Sequence, residues 1–93
     1  MTSMPRTRKA LDLIFDFADC AEEIRECKEP ERLKDLRWQL NYISNEMEWM
    51  GCSRSLLSRY RNAIIGNRHE EAKRLKPEIV RIMDSQLFKV LYY

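Results

Sequence analysis

Apolar positions recur along this chain at the rhythm of a helix. Ala10, Ile14, Phe17, Ala21 and Ile24 fall at alternating steps of four and three, and Leu11, Leu13 and Ala18 widen the stripe. Such steps return to one side of a helix with 3.6 residues per turn, so the spacing predicts an amphipathic helix with this stripe inward. A cleaner run follows, in which Leu33, Leu36, Leu40, Ile43, Met47 and Met50 step 3-4-3-4-3. A heptad seam this short predicts a helix paired with the first as an antiparallel hairpin rather than a coiled coil. Self-association through the seam, giving a homodimer, is a related expectation for so small a core.

The breaks between apolar runs carry their own chemistry. In "CKEPER", Cys27 to Arg32, Pro30 suits the first turn of a helix and pushes Glu29 out of helical geometry, so one helix ends near Lys28 and another begins. Gly51 is placed to end the second helix, and Ser53 to cap a third. That third helix, Arg54 to Ile65, is expected to bury Leu56 or Leu57 with Tyr60, Ala63 and Ile64, and to stop at Gly66-Asn67. A last helix from about residue 68 to 92 faces Ala72, Leu75, Ile79, Met83, Leu87 and Val90 inward. Pro77 interrupts it and predicts two segments at an angle. The expectation is one all-α domain over residues 1–93, a small four-helix bundle with a C-terminal helix kinked at a proline and a loose leader at residues 1–7.

Composition sharpens this picture. The 93 residues are 44% hydrophobic and 34% charged, with only two glycines and three prolines, which fits a folded helical chain and not a many-stranded sheet. Three cysteines cannot all pair within the chain, and no apolar N-terminal stretch resembles a signal peptide, so a reducing cytoplasm is expected. No apolar run is long enough for a membrane span. Cys20 and Cys27 share a helical face, but the one histidine, His69, is distant and no zinc site is expected.

Charge is unevenly spread. Residues 1–52 hold eight Lys/Arg against eleven Asp/Glu, and residues 53–93 hold nine against four, so the halves carry −3 and +5. The halves either attract each other or face differently charged partners. Asp12, Asp16, Asp19, Glu23 and Glu26 form an acidic stripe beside the apolar one on the first helix, open either to solvent or to a basic partner surface. Trp38, Tyr42 and Trp49 lie off the seam of the second helix. They either widen a core that needs large side chains or form an exposed patch that anchors a partner.

"MGCSRSLLSRYRNAI", from Met50 to Ile64, resembles the second half of a helix-turn-helix unit of phage and bacterial regulators, with Met50, Gly51, Cys52 and Ser53 matching the turn. The resemblance implies DNA binding, with Ser53, Arg54, Ser55, Ser58 and Arg59 turned outward to phosphates and base edges. Two positions before the turn depart from the pattern: Glu46 stands where an apolar residue is usual, and Met47 where a small one is. The long Leu33 to Met50 seam also predicts one long helix where the motif has a short one. An αα corner with a glycine stop and a serine start accounts for the same residues.

No serine sits in a glycine elbow, no glycine-rich phosphate loop is present, and a single histidine leaves no triad to assemble, so no enzyme and no cofactor are expected. The expected function is that of a small cytoplasmic regulator or inhibitor, of the kind common in phages and mobile elements, that docks on a larger protein or nucleoprotein assembly, the choice between inhibition and activation being left open by the sequence. Trp38, Tyr42 and Trp49 would anchor the contact and Arg54, Arg59 and Arg61 would add charge to it. The alternative is a helix-turn-helix-like transcriptional regulator reading DNA through Ser53 to Arg61.

Overall fold

A computed structural model describes the backbone of residues 10–92 and the side chains of residues 11–85. The leader at residues 1–7 and the inward positions Leu87 and Val90 fall outside these limits. Four helices follow one another: α1 (Ala10–Glu26), α2 (Pro30–Trp49), α3 (Arg54–Ile65) and α4 (His69–Tyr92), with no strand among the described residues. The chain is an all-α four-helix bundle.

One hydrophobic cluster draws on all four helices. From α1 it takes Leu13, Ile14, Phe17, Cys20 and Ala21, and from α2 the seam residues Leu36, Leu40, Ile43 and Met47, followed by Met50. Leu33, at the start of the seam, is half-buried. Both Leu56 and Leu57 are buried, where the periodicity required only one, because α3 is gripped between α1 and α4 and has two inward flanks. Leu75, Ile79 and Met83 complete the core from α4. The α2 seam from Leu36 to Met50 is thus buried within the chain itself.

The expected helix ends form with recognisable hydrogen bonding. After α2 the Cys52 amide donates to the Met47 carbonyl at 3.1 Å and the Gly51 amide to Glu48 at 2.9 Å, a Schellman ending with Gly51 at φ 100°. Ser53 then caps α3, its hydroxyl accepting from the Leu56 amide at 3.2 Å. At the end of α3 the same ending recurs: the Arg68 amide reaches Ala63 at 2.7 Å and the Asn67 amide reaches Ile64 at 3.1 Å. Here Asn67 takes the left-handed conformation, at φ 62°, and Gly66 does not. Gly66 is set instead by space, since a β-carbon there would lie 2.9 Å from the Asn62 carbonyl oxygen.

One expectation about the first helix needs correction. Leu11 is 48% exposed, because at 100° per residue it lies roughly 120° from the centre of the buried stripe, on a flank shared with Phe15. Pro77 lies inside α4, which runs on as one helix through it without a restart.

Candidate functional site

The core seam of α2 leaves an opposite face. With 100° per residue, Trp38, Tyr42 and Trp49 fall within about 40° of one another and roughly 140° from the seam. The structure accordingly puts all three outside the core, with 69%, 57% and 79% of their surfaces exposed. Trp38 and Tyr42, one turn apart, stack with ring centroids 5.9 Å apart and planes inclined by 28°. Trp49 lies on the same face, about 16 Å along the axis from Trp38 and about 10 Å from Tyr42.

Trp38 and Tyr42 also form one wall of a groove. It measures about 560 Å³ and runs between α1 and α2, with Asp16, Asp19 and Glu23 on the α1 side. Cys20 and Ile43, both buried, make its floor. The acidic stripe of α1 and the aromatic stripe of α2, separate features in the sequence, thus meet across a single opening. The Cys20 thiol donates inward to the Leu36 carbonyl at 3.2 Å. Burial pushes its pKa up, Glu23 adds to this, and Arg32 partly opposes it. Glu23 pairs with Arg32 at 3.2 Å, and Asp19 also borders a cleft on the other flank of α1, where Lys73 and Lys76 line the opposite side.

The basic candidates are dispersed. Arg54 is tied to Glu48 at 2.9 Å, Arg59 lies 3.7 Å from Glu71 of α4, and Arg61 donates to Asn62 at 3.3 Å. Arg54 and Arg61 share a small cleft with the half-buried Ser58, whereas Arg59 points toward α4. Of the residues expected to read DNA, Ser53 spends its hydroxyl on the α3 cap, and Ser55 is exposed. Helix α3 packs chiefly on α1 and α4 and touches α2 least, and α2 is a single helix of 20 residues.

Sequence reasoning missed two features. Arg25, in the last turn of α1, donates to the Ile64 carbonyl at 3.2 Å and to Asn67 Oδ1 at 3.1 Å, placing a cation on the C-terminal end of α3. Phe15, 46% exposed, lies beneath Lys76 with the ammonium 4.3 Å from its ring centroid. The i, i+4 spacing of Leu11 and Phe15 was a signal for that second apolar flank. Of the free thiols, Cys20 and Cys52 are buried and Cys27 is half-buried. No helix among the described residues is long and apolar enough to cross a membrane.

No known protein family, curated protein or solved structure matches this chain.

Proposed function

We propose that this chain is a non-enzymatic regulatory protein that binds a larger protein or nucleoprotein assembly through the outer face of α2, and inhibits that assembly by occupying its surface. The observation that carries the proposal is the exposure of Trp38, Tyr42 and Trp49 together on one face. A chain of this size gains stability from every large ring it buries, yet three of its largest stay in water. Aromatic rings kept outside a filled core are the residue type that dominates contact energies, each covering on the order of 150–250 Å² when a partner seats on it. Arg54 and Arg61 near the end of that face supply charge at its rim.

The test compares the immobilised parent protein with Trp38→Ser and Trp49→Ser in a host-cell extract, with circular dichroism to confirm that each variant keeps its helix content. A partner held by the parent and lost by at least one variant is expected. Retention of every bound protein by both variants would remove the aromatic face from the contact. Duplex DNA retained by the parent, and released by salt, would favour the helix-turn-helix alternative.

A further inference from the structure

The groove between α1 and α2 has a sharply defined chemistry. Asp16, Asp19 and Glu23 give it carboxylates on one side, with Glu23 already paired to Arg32 at 3.2 Å, and Trp38 and Tyr42 give it stacked ring faces on the other. Its floor, Cys20 and Ile43, is buried, and the Cys20 thiol already donates to Leu36. At about 560 Å³ the opening falls within the roughly 300–1,000 Å³ of ligand-sized sites.

Each wall selects for the same group. Ring faces are electron-rich and attract a cation laid over them, and carboxylates attract it by charge. A guanidinium satisfies both at once, because its flat surface stacks on a ring while its edge presents a fork of N–H donors to a carboxylate. An ammonium is a hydrated point charge and uses the ring and the carboxylate less well. Asp16 and Glu23 are two turns apart, about 10 Å along α1, which corresponds to roughly three residues of extended chain. A polynucleotide is disfavoured here, since its phosphates would meet an acidic wall, in which Glu23 is paired to Arg32 at 3.2 Å.

We infer that this groove seats an arginine-bearing basic segment of the partner protein, an assignment that rests on the partner-binding function proposed above and gives the partner its chemistry. The guanidinium lies between the Trp38–Tyr42 rings and the Asp16 and Asp19 carboxylates, and Trp49 takes no part in this contact.

The test uses ¹⁵N-labelled full-length protein and a short capped peptide of alternating arginine and alanine. The two indole N–H signals are assigned with Trp38→Phe. The expected result is a saturable shift of the Trp38 indole with little movement of Trp49, weakened about tenfold or more by lysine in place of arginine and by the double variant Asp16→Asn/Asp19→Asn. A glutamate peptide should give no shift. No saturable shift, an equal response to the lysine peptide, or a response that survives the carboxylate variant would each overturn the assignment. Concentration-dependent self-association abolished by Trp38→Ala would overturn it too, by giving the groove to a second copy of the chain. If extract capture shows a partner lost with Trp49→Ser but kept by Trp38→Ser, the groove assignment fails while the partner-binding function stands. Loss with neither variant removes both.

Discussion

Arg54 donates through Nε to the Glu48 carboxylate at 2.9 Å, tying the first residue of α3 back to the last turn of α2 across the Gly51 turn. The hydrogen bond to Glu48 raises the Arg54 pKa, with the charge of Glu48 adding to it. A phosphate approaching this guanidinium must compete with a carboxylate already in place, and the Glu48 charge repels it. Random-sequence duplex DNA is therefore expected to show no saturation below about 10 μM even at low salt, and Arg54→Ala/Arg59→Ala should behave like the parent. Fluorescence anisotropy at two salt concentrations measures this. Tight, salt-sensitive binding that disappears in the double variant would shift the function to DNA.

The two helix endings make a separate prediction about stability. Ser53→Ala removes the acceptor of the Leu56 amide and is expected to cost about 1 kcal/mol. Gly51→Ala forces a β-carbon into φ 100° and should cost about 1–2 kcal/mol. Asn67→Gly relieves the left-handed strain but gives up the Arg25 contact, so its net effect is expected within about 0.5 kcal/mol of zero. Urea unfolding midpoints separate the three, and a neutral Gly51→Ala would show that the turn relaxes to another conformation.

These endings were legible in the sequence because they depend on neighbours within one turn. Gly51, Ser53 and the Gly66-Asn67 pair could be placed by local chemistry alone, and so could the buried Leu36 to Met50 seam, whose steps never falter. The site was legible only in parts. The acidic stripe of α1 and the rings of α2 were visible as separate patterns, but their meeting depends on how the hairpin rotates each helix, which no local spacing encodes. The exposure of Trp38 and Trp49 was equally undecided, since a ring off the main seam turns inward or outward according to where the other helices pack. Arg25 reaching Ile64, 39 residues away, has no sequence signature at all.

Core and face should respond oppositely to truncation. Met47 and Ile79 are fully buried, at 0% exposure, and replacing either with alanine opens a cavity as well as losing apolar transfer energy. A loss of about 2–5 kcal/mol is expected for each. Trp49, 79% exposed, removes almost nothing from the interior, and Trp49→Ser should stay within about 0.5 kcal/mol of the parent. Equilibrium denaturation monitored by circular dichroism decides between these, and unfolding of Trp49→Ser would place that ring in the core and end its role as an anchor.

Alkaline pH offers a last check on the interior. Burial, with Glu48 and Glu78 adding charge, pushes the Cys52 thiol from 9.0 to about 11, and burial with Glu22 pushes Tyr60 from 10.0 to about 12. Tyr60 stacks on Phe17 inside the core, centroids 5.5 Å apart, where a phenolate is poorly solvated. Below pH 9 both groups hold their protons whether the chain is folded or not, so neither makes stability depend on pH. Between 9 and 11 an unfolded Cys52 ionises while the native one stays neutral, so the unfolded state binds fewer protons and stability falls as pH rises. Tyr60 adds a fall of the same sign between 10 and 12. Each group contributes up to about 1.4 kcal/mol per pH unit inside its own window. Urea unfolding at a series of pH values with a reducing agent present should show this decline, and Tyr60→Phe should flatten it above pH 10 relative to the parent. Parallel declines in the two proteins would mean that the Tyr60 hydroxyl reaches water in the folded state and carries none of the effect.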